Sequence, residues 1–372
     1  MVFTVLGPAT AEKPVILAPM EAWFSPELIR WYRQNKRDLP WRNQKDPYRI
    51  WLSEIILQQT QVAQGLSYYL KFTETFPRVK ALAGASEDEV LKLWQGLGYY
   101  SRARNLHAAA KHIHEQFKGV FPATYPDIRA LKGVGDYTAA AIASFAYNQP
   151  YAVVDGNVYR LLSRVFGIET PIDSSAAKKE FQELANSLLN KKNPAEHNQA
   201  IMEFGSQYCR PVNPDCSHCV LKHKCVAFQT GKVALLPIKA KKTKVRNRFF
   251  NYVVLADANK NILLHRRGEN DIWQGLYEFC LLEATQETSP EAFAGSPEFK
   301  KLCGKKYELL HVSKPYKHIL SHQHLYARFY VVKTALTFRP GQASGKPGTL
   351  HKFAFPRLIE KFLDDCVLKD LF

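Results

Sequence analysis

Apolar residues recur at helical spacing through the first 225 residues, and the pattern changes to strand-like runs near residue 250. Leu28, Trp31 and Tyr32 lie on one face of a helix that is predicted to begin near Ser25 and to end before the segment Leu39-Pro40-Trp41-Arg42. Similar patterns predict helices after Pro47 and over residues 87–94, 101–117, 138–145, 160–166, 175–190 and 195–208. Residues 1–22 carry no periodic pattern and are expected to form a loose extension.

The second part of the chain has the pattern of an α+β domain. Residues 251–256 and 262–267 predict a hairpin, residues 325–336 predict another strand, and residues 356–365 predict a closing helix. A basic connector over residues 238–248 separates the two parts, and its cations are Lys239, Lys241, Lys242, Lys244, Arg246 and Arg248. We therefore predict a mainly helical domain over 23–229, a linker over 230–248, and an α+β domain over 249–372.

The charge of the chain narrows the class of partner. Its 372 residues carry a formal net charge of +17, which favours a polyanion because clustered Lys and Arg release counterions from phosphates. An RNA-binding or ribosomal protein stays open on charge alone. No apolar run reaches the roughly 18 residues of a membrane span, and the N-terminus lacks the pattern of a signal peptide. We expect a soluble intracellular protein with no membrane contact.

Four of the seven cysteines fall within one short segment. Cys209, Cys216, Cys219 and Cys225 have the spacing C-x6-C-x2-C-x5-C, which predicts a metal centre in a reducing compartment. Four thiolates suit either a tetrahedral zinc ion or an iron–sulfur cluster, and the residues alone do not choose between them. The other cysteines are expected to be ordinary thiols.

A glycine-containing turn precedes a predicted helix near the middle of the chain. Gly133, Val134 and Gly135 are followed by an Ala-rich run, so we predict a tight hairpin whose N–H groups face one point at the helix N-terminus. In a chain this basic, the natural anion for such a site is a DNA phosphate. A plain glycine turn is the alternative.

Two carboxylates lie in apolar surroundings. Glu54 belongs to a helical stripe of apolar residues, where burial would raise its pKa and allow it to act as a general acid. If this face turns to solvent, Glu54 instead pairs with a cation. Asp155 follows the apolar run 151–154, where a charge is unusual, and a solvated aspartate is again the alternative.

In order along residues 22–370, these motifs resemble the DNA glycosylases of the endonuclease III superfamily, and among them the adenine-specific MutY family. The resemblance rests on Leu39-Pro40-Trp41-Arg42, Trp51-Leu52-Ser53-Glu54, Leu57-Gln58-Gln59-Thr60, Gly96-Leu97-Gly98-Tyr99-Tyr100, the hairpin, Val154-Asp155-Gly156-Asn157-Val158, the four cysteines and the C-terminal domain. It implies a helix-hairpin-helix glycosylase domain with an iron–sulfur loop, followed by a Nudix-like α+β domain.

The resemblance also implies an activity and its residues. The expected reaction is hydrolysis of the N-glycosidic bond of adenine mispaired with 8-oxoguanine or guanine in double-stranded DNA, after the base is flipped. The enzyme is expected to be a bacterial monomer in the cytoplasm near the nucleoid. Glu54 would protonate adenine N7, Asp155 would stabilise the positively charged sugar, and Asn157 would orient nearby groups. The adenine pocket would be formed by Gln199, Arg42 and Trp41.

DNA and lesion contacts are implied as well. Gln59 and Tyr99 would fill the space left by the flipped base. The remaining DNA contacts would come from Leu97, Gly133, Val134 and Gly135. The resemblance assigns a [4Fe-4S] cluster to Cys209, Cys216, Cys219 and Cys225, and recognition of 8-oxoguanine to Ser321 and His322, where Leu320 replaces a frequent phenylalanine.

Three other functions fit the residues less well. A glycosylase/lyase of the superfamily needs a lysine where this chain has Tyr137, which is therefore expected to contact substrate near the sugar; Lys132 should face the DNA backbone. A catalytically silent DNA-binding protein would have no use for Glu54 and Asp155. The segment Trp273-Gln274-Gly275-Leu276-Tyr277-Glu278-Phe279 resembles Nudix domains, but residues 281–288 lack the glutamate-rich pattern that holds magnesium, so we expect no nucleotide hydrolysis.

Overall fold

A computed structural model describes residues 21–240, 245–339, 341–366 and 368–371. The predicted N-terminal extension lies outside these residues up to position 20, as do Lys241, Lys242 and Lys244 of the connector. The described chain forms two compact units. The first unit contains the described residues up to Ile50, Ala123–Ala130, and the described residues from Val134 to 240. The second unit contains Trp51–Pro122, Leu131–Gly133 and the described residues from 245 onward.

The helical part follows the sequence prediction closely. In chain order its helices are α1 (Glu21–Asn35), α2 (Pro47–Leu57), α3 (Val62–Thr75), α4 (Val79–Gly84), α5 (Glu87–Leu93), α6 (Ser101–Gln116), α7 (Tyr125–Ala130), α8 (Asp136–Tyr147), α9 (Gly156–Phe166), α10 (Ser175–Leu188), α11 (Pro194–Gln207), a 3-10 turn (Lys222–Lys224) and α12 (Val226–Gln229). Helices α3, α4, α7 and α12 were not predicted. None of the described helices is both long and apolar enough to cross a membrane.

The core of the first unit is built around α9. Val158, Leu161, Leu162 and Val165 recur at helical spacing and are buried against α1, α10 and α11. At the end of α9, Gly167 has a φ of +67°, which provides the left-handed C-cap that stops the helix. The N-terminus of α9 is thereby held rigidly at the edge of this core.

Helix α2 is buried more completely than its sequence predicts. The expected apolar stripe implies one solvent-facing side, but every residue from Ile50 to Ile56 is buried. Burial includes Ser53 and Glu54, whose exposed fractions are 1% and 8%. The structure therefore excludes the alternative in which Glu54 faces solvent.

The C-terminal part forms a mixed sheet. Its elements in chain order are β1 (Arg246–Ala256), β2 (Ile262–Leu263), β3 (His265–Arg266), β4 (Tyr277–Glu278), β5 (Cys280–Ala284), α13 (Pro290–Ala294), α14 (Pro297–Cys303), β6 (Tyr307–Val312), β7 (Tyr316–Ile319), β8 (Gln323–Thr334), β9 (Ser344–Gly345), a 3-10 helix (Pro347–Lys352), α15 (Arg357–Asp365) and α16 (Leu368–Leu371). The main sheet has the order β6-β8-β1-β2-β9, with β5 also paired to β1 and β7 to β8.

The predicted hairpin is only partly correct. Strand β1 contacts β2 at a single register pair, Ala256 with Ile262, and residues 262–267 divide into β2 and β3, which belong to different sheets. The main partner of β1 is instead β8, parallel to it over its whole length. Strand β8 and helix α15, the two other predicted elements, are confirmed; their core contact is Phe329 stacked on Phe362 at 4.0 Å.

The Nudix-like segment packs against the helices of its own unit. Arg104 of α6 donates to the carbonyl of Gln274 at 2.6 Å, and the Tyr277 hydroxyl lies 3.0 Å from the Asp88 carboxylate of α5. Gly275 has a φ of +82°, and a Cβ there would lie 3.2 Å from Leu91. The residues that directly follow this segment form strand β5 and not a helix.

Candidate active site and DNA-contacting loops

Asp155 is the N-cap of α9. One carboxylate oxygen accepts hydrogen bonds from the backbone N–H groups of Asn157 and Val158 at 2.9 and 2.8 Å, and the other accepts from the Asn157 amide at 2.8 Å. Burial raises the pKa of Asp155 above its usual value, although these bonds and the Arg160 cation oppose the rise. The alternative of a freely solvated aspartate does not hold, because Asp155 is half-buried and its carboxylate is fixed by these hydrogen bonds.

Asn157 connects this carboxylate to the cysteine loop. Its side-chain oxygen accepts from Arg160 at 2.9 Å, and Arg160 also donates to the carbonyls of Gly205 at 2.5 Å and Cys209 at 2.8 Å. A Cβ on Gly205 would lie 2.8 Å from the Asn157 carbonyl oxygen, so only glycine allows α11 to approach α9 this closely. Asn157 was predicted from the sequence, but Arg160 was not, since two of its three partners are main-chain carbonyls of residues far along the chain.

Gln199 and Arg42 belong to one hydrogen-bonded group on α1, α11 and the 39–42 loop. The Tyr32 hydroxyl donates to the Gln199 side-chain oxygen at 2.6 Å. Arg42 forms a two-bond contact with Glu203 at 3.0 and 2.5 Å, and its guanidinium lies 5.7 Å from the Tyr32 ring centroid. The third predicted pocket residue, Trp41, is buried, with 9% of its surface exposed.

Glu203 is the centre of this group and was not predicted from the sequence. Its side chain is completely buried between Arg42 and Arg37, which lie 2.5 and 2.6 Å away. Burial alone would raise the pKa of Glu203, but hydrogen bonds from the two arginines lower it to about 2. Its position four residues after Gln199 on α11 was the available signal, because i and i+4 side chains share a helix face.

We expect Glu203→Gln to lower the free energy of unfolding at pH 7 by about 2–3 kcal/mol, since it leaves two partly buried cations without their anion. The lowered pKa means that this stability is present above the unfolded value and is lost as pH falls toward about 2. Urea titrations at pH 7 and pH 3 measure both effects. Glu196→Gln, which removes a pair with the exposed Arg33, is the matched control and should cost less than about 1 kcal/mol; equal losses would contradict the prediction.

The glycine hairpin connects α7 to α8. Gly133 has a φ of +81°, and a Cβ there would lie 2.7 Å from Asn105, so this glycine is required by both conformation and space. Gly135 differs from the expectation, because it is the extended N-cap of α8 with φ −90° and has no protein atom near its missing Cβ. Val134 is buried beneath the turn, and its carbonyl accepts from Arg129 at 2.8 Å.

Tyr137 lies in the first turn of α8, directly after this hairpin. It is half-buried, and its hydroxyl lies 3.8 Å from the sulfur of Met202 on α11. Lys132, which is expected to face the DNA backbone, is exposed. The second residue after Gly135 thus presents a phenol and not an amine.

Two loops of the second unit carry the predicted base-stack residues. Gln59 follows α2, is exposed and has a φ of +52°. Tyr99 precedes α6, has 49% of its surface exposed and a φ of +47°. Leu97, in the same loop as Tyr99, is 7% exposed and packs underneath, so a DNA contact by its side chain stays a prediction.

The four cysteines of the spaced segment line one pocket. All are half-buried thiols, and burial raises the pKa of Cys219 to about 11. Arg164 donates to the Cys209 sulfur at 3.4 Å and to the Arg210 carbonyl at 2.7 Å, which holds the loop on α9. Across the residues that the structure describes, no three such side chains have the arrangement of ligands to a single metal ion.

The predicted lesion-reading residues form the turn between β7 and β8. Ser321 and His322 are both exposed, and the Ser321 hydroxyl lies 3.1 Å from the imidazole Nδ1. The next residue, Gln323, is buried and accepts a hydrogen bond from Arg248 at 3.2 Å. Arg248 is itself fixed by Asp271 and Glu283, each at 2.6 Å, so the base of the turn is rigid while its tip is accessible.

Comparison with known proteins matches two family models to the chain. Residues 52–187 match the HhH-GPD superfamily of base excision DNA repair proteins, and residues 251–365 match the NUDIX domain. The chain is 36% identical over 265 residues to an adenine DNA glycosylase from Buchnera aphidicola subsp. Acyrthosiphon pisum, covering 71% of this chain and 75% of that protein. It is 30% identical over 353 residues to one from Buchnera aphidicola subsp. Schizaphis graminum, covering 92% and 98% respectively. A solved thermostable thymine-DNA glycosylase is 27% identical with a TM-score of 0.54, covering 57% of this chain and 98% of that one.

Proposed function

The chain belongs to the family of adenine DNA glycosylases, and from this membership we propose that it hydrolyses the N-glycosidic bond of adenine opposite 8-oxoguanine or guanine without cleaving the DNA strand. The observation that carries the proposal is Asp155, a half-buried carboxylate held by three hydrogen bonds at the N-terminus of α9. Such a group is costly for a protein that only binds DNA. It is suited to stabilising positive charge on a reacting sugar.

The chemistry requires adenine to leave the base stack, because its glycosidic bond is inaccessible inside the duplex. Glu54 donates a proton to adenine N7, the bond between C1′ and N9 breaks, and adenine leaves as a neutral base. The sugar then carries oxocarbenium character, which the negative charge of Asp155 stabilises. Water adds to C1′ and its proton returns to Glu54, so the products are free adenine and an abasic site.

Gln199, Arg42 and Trp41 hold the flipped adenine in this proposal. Because Tyr32 donates to the Gln199 oxygen, the amide N–H₂ group of Gln199 remains a donor that can face a ring nitrogen of the base. Arg42 is held by Glu203 and the Arg37 carbonyl, so it contributes orientation and charge with little freedom to move. The pocket is therefore ordered before the base enters.

On the DNA side, Gln59 and Tyr99 enter the space that adenine vacates, since both are exposed at loop tips. The hairpin of Gly133, Val134 and Gly135 directs backbone N–H groups toward a phosphate. No side chain obstructs the approach at Gly135. Ser321 and His322 read the opposite 8-oxoguanine, and the half-buried Leu320 fixes one side of their turn through its bond to the Gln323 carbonyl at 2.8 Å.

Cys209, Cys216, Cys219 and Cys225 would hold a [4Fe-4S] cluster. Four half-buried thiols that line one pocket are the kind of ligand set that such a cluster takes. Its role is to fix the loop that presents Arg210, Lys222 and Lys224, and the Arg160 and Arg164 contacts attach this loop to α9.

We expect the purified protein to carry about four iron atoms per chain with matching labile sulfide, as a [4Fe-4S] cluster requires. Cys219→Ser should lose most of this iron because it removes one of the four ligands. Cys366→Ser, in a cysteine outside the loop, should retain it. Metal analysis and sulfide assay make the comparison, and zinc in place of iron in the wild-type protein would overturn the cluster assignment.

We expect no covalent enzyme–DNA product when the protein is treated with borohydride during the reaction. A glycosylase/lyase forms an imine with the sugar, and the phenol of Tyr137 cannot do so. Tyr137→Lys is the informative companion, since it introduces an amine at that position and should yield a trappable adduct. Stoichiometric trapping by the wild-type protein would contradict the proposed mechanism.

The decisive experiment is single-turnover excision on labelled duplexes with adenine opposite 8-oxoguanine, adenine opposite guanine, or thymine glycol opposite adenine. Each reaction is analysed with and without alkali. Breaks only after alkali, fastest opposite 8-oxoguanine, are the expected result. Breaks without alkali on the thymine glycol duplex would instead assign the chain to the glycosylase/lyase class.

A further inference from the structure

Gln59 and Tyr99, the two residues proposed to enter the base stack, share an uncommon backbone conformation. Both have positive φ values, +52° and +47°, although neither is glycine. Residues other than glycine rarely adopt this region, which costs roughly 1–3 kcal/mol and persists only when the surroundings enforce it. Contacts within the second unit must therefore fix the backbone of both loops in this conformation.

Arg102 of α6 contacts both loops at once. Its guanidinium donates to the carbonyls of Ile55 and Ile56 at the end of α2 at 2.9 and 3.0 Å, and to that of Gln58 in the first loop at 2.5 Å. It donates to the carbonyls of Leu97 and Gly98 on the second loop at 3.4 and 3.2 Å. Gln58 and Gly98 are the residues immediately before Gln59 and Tyr99. One planar side chain thus fixes the two peptides from which both loop tips project.

The environment of Arg102 is specialised for this contact. The residue is 9% exposed, its guanidinium lies 5.0 Å from the Trp94 ring centroid, and within the described residues its hydrogen-bond acceptors include no carboxylate. Carbonyls at the C-terminal end of α2 supply the negative potential instead. Burial lowers the pKa of Arg102 to about 10, so the group remains charged at neutral pH.

We propose that Arg102 is a positioning residue for base flipping, which sets the spacing and direction of Gln59 and Tyr99 before DNA arrives. The inference rests on the proposed function of these two side chains. Lysine cannot replace arginine here, because a single ammonium group cannot reach five carbonyls arranged on two sides. Arg102 thus fixes the backbone positions of Gln59 and Tyr99 together, before DNA binds.

The test is a cycle of four proteins: wild type, Arg102→Lys, the double variant Gln59→Ala/Tyr99→Ala, and all three substitutions together. Unstacking is followed by stopped-flow fluorescence of 2-aminopurine at the target position of a duplex. Arg102→Lys should slow unstacking about tenfold, a coupling typical of groups in contact, while adding it to the double variant should change the rate by less than about twofold. Leu106→Ala, a buried change on the same helix, controls for lost stability and should unstack at the wild-type rate.

The possible failures are distinguishable. If Arg102→Lys slows unstacking equally in both backgrounds, it acts through the general fold and the positioning role is wrong. The same conclusion follows if Leu106→Ala reproduces its effect. If Gln59→Ala/Tyr99→Ala unstacks like wild type, the proposed stack-filling function itself fails, and the role of Arg102 fails with it.

Discussion

Replacing Glu54 by Gln is expected to lower single-turnover adenine excision by about 10²–10⁴-fold, the usual contribution of a positioned general acid. Glutamine keeps the size and most of the hydrogen-bonding capacity of the side chain but cannot deliver a proton to N7. Because Glu54 is buried in α2 and is replaced by a near-isostere, affinity for the mispaired duplex should stay within about threefold of wild type. Burst kinetics on duplexes with adenine opposite 8-oxoguanine, together with a binding titration, separate the two effects.

A neighbouring substitution controls for disturbance of the helix. Ser53→Ala alters another buried residue of α2 without removing an acid, and excision should remain within about tenfold of wild type. If Glu54→Gln retains excision within tenfold, Glu54 is not the acid. Weak binding by both variants would instead show that α2 tolerates no change.

Asp155→Asn should reduce excision by about 10²–10³-fold, since a fixed group that stabilises developing charge is removed while its shape is kept. Asparagine is as good an N-cap as aspartate, so α9 should keep its stability to within about 1 kcal/mol. Ser174→Ala removes the N-cap of α10 and serves as the opposite control, with lost stability and retained excision. Parallel thermal unfolding and single-turnover assays provide the comparison.

The ionisation of Asp155 should also determine how the rate of excision falls at acidic pH. Asp155 must be ionised to stabilise positive charge, so excision falls as pH drops through its pKa. Since burial raises that pKa, the fall should begin at a higher pH than the ordinary aspartate value of about 3.9 would give. A profile of Asp155→Asn that keeps the wild-type acidic limb, or near-wild-type excision by this variant, would remove Asp155 from the mechanism.

The sequence was most informative where chemistry depends on residues close together in the chain. Glu54 was expected in an apolar helix and is buried, and Asp155 was identified from the run before it. Helices such as α6 and α10 follow from periodicity. Helix α3 was missed because Gly65 and several polar residues weaken its pattern, and α4 and α7 are too short to show one.

What the sequence could not supply are the contacts over long separations. Tyr32 pairs with Gln199 and Arg42 with Glu203 across more than 150 positions, and no local pattern connects them. Arg102 interacts with main-chain carbonyls, which are the same in every sequence. The hairpin prediction failed in part for a related reason. Strand β1 forms its longest ladder with β8, which is far along the chain, and not with the next strand, β2.

That pairing of β1 with β8 bears on how the protein is made. A ribosome completes β1 at residue 256, and its partner β5 follows by residue 284, but its parallel partner β8 begins only at residue 323, so one edge of this largely buried strand stays unpaired until then. An edge of this kind is a template for association with other chains. We therefore expect the C-terminal domain to form late and all at once, and chains that stop before β8 to aggregate even when their helical half is intact.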